Sequence, residues 1–284
     1  LRHKTVKLTP AGQAAFAVSV SASQDRYRAW MKDISEEELL RVIDKHGNES
    51  IFAGSYGWAS AGRFHHAQGH LKRFLNLMGG YTKSVNTYSL AAGEVILPHV
   101  LGGAEFIYGA TSWQSIISDC DLMVAFGGLP VKNAAVGQGG VGAHRTGPAL
   151  LEAKAAGVDF INISPLRSDM PAALQADWLA PRPSTDAALM IGLAHVLLTE
   201  NLTDQAFLEK YTEGFDRFSA YLTGEVDGIA KTADWAADIC KLSAYTIRSL
   251  ARRMARGRTM ISLAWALTRQ DHGEQPFWLG TVYL

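Results

Sequence analysis

The chain has 284 residues, 48% of them hydrophobic, which is enough for one large domain or two ordinary ones and excludes a disordered protein. Its 27 basic and 27 acidic side chains cancel, so no charge excess points to nucleic acid or an anionic membrane as a partner. No apolar run approaches the roughly 20 residues that a membrane span requires. Cys120 and Cys240 lie far apart, without metal-type or disulfide-type spacing, which favours a reducing compartment and the cytoplasm over the periplasm.

The first third of the chain is predicted to hold two helices and one short strand. Residues 1–34 show no steady hydrophobic period and are expected to be an irregular lead-in. Ser35 and Glu38 form a capping box, which marks the start of a helix. The elements expected here are a helix over 35–46, a strand over 50–53 and a helix over 62–78 that stops at two glycines.

From residue 89 onward, helices and strands alternate. Strands are expected around 105–108, 121–128, 158–164 and 258–265. Helices are expected over 89–101, from 111 or 112 onward, over 147–157 and 184–201, and then in succession to about 256. This alternation is typical of crossover units on a parallel sheet. The predicted fold is therefore α/β, a parallel sheet in Rossmann-like α/β/α layers with additional helices.

Four of the expected strands are followed by polar or glycine-rich stretches. These stretches are GSYGWAS after 50–53, GGLPVKN after 121–126, SPLRSD after 158–163 and WALTRQDHGEQ after 258–264. Parallel sheets bind ligands beyond the carboxyl ends of their strands. Small residues, aromatics and cations at four such ends predict one long polar ligand laid along the edge of a sheet.

Three motifs each allow a ligand-binding and a purely structural interpretation. His66 and His70 are four apart on an expected helix and could share a metal, or could belong to a solvated helix face. The glycines of 137–144 could form a phosphate loop or a flexible loop at the sheet rim. Thr185 and Asp186 lie at the start of an expected helix. They could cap that helix, or the exposed backbone amides of its first turn could hold an anion.

Two pairs of polar residues follow strand ends directly. Lys132 and Asn133 could neutralise and hydrogen-bond a phosphate, and Arg167 with Asp169 could do the same after the next strand. Each pair could equally be an ordinary surface charge pair. Position alone leaves both interpretations open.

Several ordered blocks together resemble the molybdenum oxotransferases of the dimethyl sulfoxide reductase family. The nearest branch contains the biotin sulfoxide, methionine sulfoxide and trimethylamine N-oxide reductases. The blocks span about 47–278 and are SYGWASAGRFHH, NTYS, DLMVAFGGLPVKN, INISPLRSD, APRPSTDAALMIGLAHVL and TMISLAWALTRQDHGEQPFW.

The resemblance implies one molybdenum ion held between two molybdopterin guanine dinucleotides. It also implies a two-electron removal of oxygen from an S-oxide or N-oxide, such as biotin sulfoxide, methionine sulfoxide, dimethyl sulfoxide or trimethylamine N-oxide. Electrons would come from an external donor, which could be a cytochrome, a thioredoxin-like protein or a flavin or NADPH source.

By the same resemblance, three residues have catalytic roles. Ser89, in NTYS, is the expected molybdenum ligand, although Asn86 and Thr87 stand where the family has glycine and aspartate. Tyr56 would direct its hydroxyl at the transferred oxygen, and Trp58 would cover the metal site. Glycines around these rings would let the backbone come close to the cofactor.

The resemblance also places cofactor contacts at further positions. These are Gly57, Ala59 and Ser60 beside the two rings, Lys132 and Asn133, Ile163 and Ser164, Ser184, Thr185 and Asp186, and Trp265, Ala266 and Arg269. The Ser184–Asp186 triplet would read the guanine end. Asn133, Ser164 and Ser184 depart from the family's threonine, asparagine and glutamine.

Family members are far longer than this chain, so a partial catalytic subunit is expected. Its regions would be 1–34 as lead-in, 35–110 around the molybdenum site, and 111–284 as a dinucleotide-binding α/β region. One alternative is a cofactor-free remnant or interaction domain without catalysis. Another is a nicotinamide-linked oxidoreductase on the same kind of sheet, which the poor glycine fingerprint disfavours.

Overall fold

The computed structural model describes residues 36–54, 66–109, 111–134 and 143–283. The chain forms two compact units, residues 1–85 and 86–284. The division into 1–34, 35–110 and 111–284 stays a prediction about functional regions.

The smaller unit is a short strand–helix–strand arrangement preceded by a helix. Its elements are α1 (Glu36–His46), a 3-10 helix (Asn48–Ser50), β1 (Phe52–Ala53), α2 (Ala67–Leu77) and β2 (Thr82–Lys83). β1 and β2 pair in parallel, and the Asn48 side-chain amide donates to the carbonyl oxygens of Met78 and Gly80, at 3.0 Å each. The helices predicted over 35–46 and 62–78 are confirmed within these bounds, while Ser35 of the predicted capping box and residues 62–65 lie outside the described residues.

β1 contradicts one sequence expectation. It belongs to this separate two-stranded sheet, so the prediction of four strand ends on one sheet is wrong. The strand has two residues and pairs with its near neighbour β2. The other three expected strand ends do share a sheet.

The larger unit is a parallel sheet surrounded by helices. Its strands are β3 (Leu122–Phe126), β4 (Asp159–Ile163), β5 (Asp177–Leu179) and β6 (Thr259–Leu263). Its helices are α3 (Ala91–Leu101), α4 (Glu105–Tyr108), α5 (Trp113–Asp119), α6 (Thr146–Ala155), α7 (Asp186–Thr199), α8 (Gln205–Tyr211), α9 (Phe215–Thr223), α10 (Ala233–Cys240), α11 (Ala244–Met254) and α12 (Glu274–Gly280).

In this unit one strand prediction is wrong and one strand was not predicted. The segment 105–108, expected as a strand, is the short helix α4, in which the Gly109 amide bonds to the Glu105 carbonyl oxygen. A segment of four residues is too short for its hydrophobic period to distinguish a strand from a helix. The strand β5 was not predicted, because three residues starting with Asp177 are too few to show alternation.

Side-chain caps set where several helices begin. Each capping oxygen accepts a hydrogen bond from the backbone amide three residues on, which satisfies one otherwise unpaired donor. The capping residues are Ser112 before α5, Asp204 before α8, Thr232 before α10 and Ser243 before α11.

The strand order is β5–β4–β3–β6, with all pairs parallel. Alternate residues of β3 enter two different cores, since successive side chains point to opposite faces. Leu122, Val124 and Phe126 pack with α7, α10 and α11, while Met123 and Ala125 pack with α5 and α6. The α/β/α layering predicted from the sequence is confirmed.

Ion pairs occupy the amino edge of the sheet. Arg253 bridges two strands, with Nη1 2.6 Å from an Asp177 oxygen and Nη2 2.9 Å from an Asp159 oxygen. The backbone amide of Arg258 donates to Asp121 just before β3, at 2.8 Å. The polar loops that follow β3, β4 and β6 therefore lie at the opposite, carboxyl edge.

Cys120 and Cys240 are both free thiols. Burial raises the pKa of each thiol, which keeps both neutral. Within the described ranges, no helix is long and apolar enough to cross a bilayer.

Candidate functional site

Two glycines after β3 bring three strand ends into contact. Gly127 and Gly128 have φ of +83° and +75°, a region that side chains disfavour. A Cβ atom on Gly127 would lie 2.5 Å from the Cβ of Ala264 after β6, and one on Gly128 would lie 2.6 Å from the backbone oxygen of Asp169 after β4. The Leu129 amide also donates to that oxygen at 2.7 Å. The loops after β3, β4 and β6 thus form one continuous edge.

The loop after β4 is ordered from within by Ser164. Its hydroxyl donates to Asp169 Oδ2 at 2.6 Å and accepts from the Leu166 amide at 3.2 Å. Ser164 is buried, so its side chain holds the loop together from inside and is not presented at the loop surface. Asn162 supports the same loop by donating to the carbonyl oxygens of Leu166 and Arg167, at 3.4 and 3.2 Å.

The turn after β6 meets the segment that carries Ser89. A 3-10 helix over Trp265–Thr268 follows the strand, and Arg269 comes next. The Nε–H of Arg269 donates to the backbone oxygen of Ser89 at 3.1 Å, while the Thr268 hydroxyl lies 3.5 Å from the same oxygen. The nearer acceptor of that hydroxyl is the Trp265 carbonyl oxygen, at 2.8 Å. The structure therefore joins two sequence-predicted residues, Ser89 and Arg269.

A further polar segment, residues 184–186, lies after β5, where α7 begins. Ser184 has a φ of +63°, and the Thr185 hydroxyl donates back to the Arg182 carbonyl oxygen at 2.6 Å instead of capping the helix. Asp186, in the first turn, is only 7% exposed. Burial raises the pKa of this carboxyl group above its ordinary value.

The remaining predicted residues differ in accessibility. Lys132, Trp265, Ala266 and Arg269 are exposed at the carboxyl edge. Ile163 is fully buried in the core, so only its backbone reaches that edge. Tyr56, Gly57, Trp58, Ala59 and Ser60 lie outside the described residues, as does most of the 137–144 loop.

One histidine of the 66/70 pair has a structural role at the start of α2. The Nδ1 atom of His66 accepts a hydrogen bond from the Gly69 amide at 3.0 Å, so the ring caps the helix. Across the described ranges, no three His, Cys, Asp or Glu side chains cluster as metal ligands would. The metal-binding interpretation of His66 and His70 therefore has no support in the structure.

Sequence reasoning missed Thr268, and for Asp169 it considered only phosphate binding or a surface charge pair with Arg167. Thr268 is 8% exposed and sits directly before Arg269. A buried hydroxyl beside a candidate cofactor residue is the signal that could have identified it. Asp169 uses one carboxylate oxygen to accept the Ser164 hydroxyl, a contact that no spacing rule predicts.

A family model described as molybdopterin oxidoreductase matches residues 33–281. The chain belongs to the molybdopterin oxidoreductase family, whose cofactor is a molybdenum-loaded molybdopterin.

Within that family, the chain is similar to sulfoxide and N-oxide reductases. It is 46% identical over 247 residues to a biotin sulfoxide reductase of Cereibacter sphaeroides, covering 87% of this chain and 33% of the relative. It is 44% identical over 247 residues to a dimethyl sulfoxide/trimethylamine N-oxide reductase of the same organism, covering 87% and 30%. A trimethylamine-N-oxide reductase of Haemophilus influenzae is 40% identical over 248 residues, again covering 87% and 30%. The chain thus spans about a third of the length of these relatives.

A solved structure supports the fold independently. Acetylene hydratase from Pelobacter acetylenicus superposes with a TM-score of 0.54 at 23% identity, covering 87% of this chain and 30% of that one. At this identity the likeness concerns the fold alone.

Proposed function

We propose that this chain is part of the catalytic subunit of a molybdenum reductase that removes oxygen from S-oxides or N-oxides. The observation that carries the proposal is the meeting of Ser89 with Arg269 at the carboxyl edge of the sheet. The activities of the relatives, on dimethyl sulfoxide, trimethylamine N-oxide and biotin sulfoxide, support the same substrate class.

The residues fit such a cofactor by the chemistry of their donor atoms. The Ser89 hydroxyl is a hard oxygen donor suited to a high-valent metal. Lys132 and Arg269 are exposed cations at the carboxyl edge, where a dinucleotide phosphate would find charge-assisted hydrogen bonds.

We further propose the guanine dinucleotide form of the cofactor, with two copies around the metal. Asp186 is a buried carboxylate in the first turn of α7, and burial raises the pKa of this group. Two N–H donors on a guanine edge would give this carboxylate charge-assisted hydrogen bonds. Thr185 and Ser184 precede this carboxylate and would shape the pocket around the base.

The remaining roles divide between accessible side chains and backbone. Trp265 is 43% exposed and could cover a pterin ring, with Ala266 leaving room beside it. Ile163 and Ser164 would contribute through the backbone, because both side chains are buried. From the sequence alone, Tyr56 keeps its proposed role at the transferred oxygen and Trp58 its proposed role as cover of the metal site.

The bound cofactor supplies the two-electron chemistry of oxygen-atom transfer. The protein's own part is to ligate through Ser89, to bind phosphates and to orient the substrate. The substrate would be biotin sulfoxide, methionine sulfoxide, dimethyl sulfoxide or trimethylamine N-oxide. An external donor would supply the electrons.

Elemental mass spectrometry and pterin fluorescence on the complete gene product test this proposal. We expect molybdenum with two pterins per metal, and turnover of an S-oxide or N-oxide with reduced benzyl viologen as donor. Absence of both metal and pterin would instead support a cofactor-free remnant. Protection against unfolding by a nicotinamide dinucleotide, without metal, would support the nicotinamide-linked alternative.

A further inference from the structure

The backbone carbonyl of Ser89 lies outside the hydrogen-bond ladder of α3. The Gly93 amide, four residues on, bonds to the Leu90 carbonyl oxygen at 2.9 Å rather than to Ser89. The Ala91 amide bonds to Thr87 at 3.1 Å and closes a tight turn around Ser89. The Ser89 carbonyl is thereby directed away from the helix and toward the turn after β6.

Arg269 meets that carbonyl from a fixed position. Its own amide bonds to the Ala266 carbonyl oxygen at 3.0 Å, and the Thr268 hydroxyl closes the same turn on Trp265 at 2.8 Å. The turn follows β6 directly, and β6 pairs along its whole length with β3. The Nε–H of Arg269 thus connects the sheet to the Ser89 turn through an anchored backbone.

The donor in this contact is specific to arginine. Nε–H is a single directed donor in the plane of the guanidinium group, and lysine has no group at that position. A 3.1 Å bond from a cation to a carbonyl oxygen is a charge-assisted contact and is stronger than a neutral one. A lysine at 269 would keep the charge and lose the directed bond.

We infer that Arg269 is a positioning residue that fixes the Ser89 backbone through Nε–H and so sets the direction of the Ser89 hydroxyl. This inference rests on the proposed function, in which that hydroxyl ligates molybdenum. It assigns Arg269 a role separate from its proposed contact with the cofactor.

Amide hydrogen exchange on the cofactor-free chain tests the positioning directly. We expect Arg269→Lys to speed exchange of the amides of 87–91 several-fold, since the turn loses an anchoring bond. Arg256→Lys is the matched control, because Arg256 is exposed and makes no ion pair with the described residues, and it should leave those amides unchanged. Unchanged exchange in Arg269→Lys overturns the inference and leaves the proposed function intact.

A double-mutant cycle on the holoenzyme tests whether Arg269 acts through Ser89. The electron paramagnetic resonance spectrum of Mo(V) is recorded for the wild type, Arg269→Lys, Ser89→Ala and the double variant. We expect Arg269→Lys to shift the spectrum when Ser89 is present and to cause no further shift in the Ser89→Ala background. Equal shifts in both backgrounds would mean that Arg269 acts on the cofactor directly, and the inference is then wrong. A spectrum insensitive to Ser89→Ala overturns the proposed function and the inference with it.

Discussion

The Nε–H of Arg269 donates a hydrogen bond to the backbone oxygen of Ser89 at 3.1 Å, across 180 residues of sequence. Ser89 precedes the first helix of the larger unit, and Arg269 follows its last strand. The two family-like blocks that contain these residues are distant in sequence and adjacent in the fold. The site is built where sheet and helix termini converge, as in other open α/β sheets.

The packing of Gly128 gives a stability prediction. Gly128→Ala should lower the unfolding free energy by more than about 2 kcal/mol, because a left-handed φ adds strain and the new Cβ meets Asp169. Urea unfolding of the cofactor-free chain, followed by circular dichroism, measures the change.

Gly228→Ala is the matched control for that experiment. Gly228 has the same φ of +75°, and a Cβ there would meet nothing within 4 Å. We expect a loss of only about 1 kcal/mol from the backbone strain. Equal losses in the two variants would show that contact between the β3 and β4 loops does not matter for stability.

The buried carboxylate of Asp186 gives a pH prediction. Because its folded-state pKa is raised, the stability associated with this group is present below the ordinary pKa and is lost as the pH rises through the raised value. Asp186→Asn removes this loss, so the variant should melt at a higher temperature than the wild type at neutral pH and at no higher temperature in acid. Thermal unfolding of the cofactor-free chain over a pH series measures the difference.

The exposed Asp216, in the first turn of α9, offers a control. Asp216→Asn should not raise the melting temperature, because its charge is solvated and favours the helix start. A gain for Asp186→Asn that is the same at every pH would contradict the assignment of the effect to ionisation.

The buried cation Lys231 gives a prediction about asymmetry within an ion pair. Its side chain is 3% exposed, with Nζ 2.7 and 2.8 Å from the two oxygens of Asp227 and 4.4 Å from the centre of the Tyr221 ring. Asp227→Asn leaves a buried charge without its counter-ion, while Lys231→Met leaves a carboxylate that water can reach. We expect the melting temperature to fall more in Asp227→Asn. The opposite order in a thermal melt would show that the Lys231 contacts with the Tyr221 ring and with the Ile229 backbone oxygen suffice to stabilise the charge.

The sequence predicts this fold well where the hydrophobic pattern is long. β3 and β4 are continuous apolar strands, and their bounds are confirmed to within two residues. β5 was not predicted because the contacts that define it are tertiary. These are its pairing with β4 and the hydrogen bond from the Trp178 indole to the Ser164 carbonyl oxygen, at 2.8 Å. The prediction of a strand at 105–108 is wrong for a different reason, because four residues are too few for their pattern to separate a strand from a helix.

The candidate site is predictable in its residue types and not in its contacts. Motif resemblance identifies Ser89 and Arg269 from their side chains. Their actual meeting uses a backbone oxygen, which carries no sequence signal. Ser164 likewise matches a cofactor position, yet its hydroxyl points inward to Asp169, because the loop needs an internal donor.

The most direct test of the account is molybdenum X-ray absorption of the holoenzyme with Ser89 and with Ser89→Ala. The contacts that hold this segment to the turn after β6 use the Ser89 backbone, so the alanine variant should keep them. We predict one fewer oxygen neighbour at the metal in the variant, together with loss of S-oxide and N-oxide turnover with benzyl viologen. The same oxygen coordination with full turnover would contradict the assignment of Ser89 as the ligand.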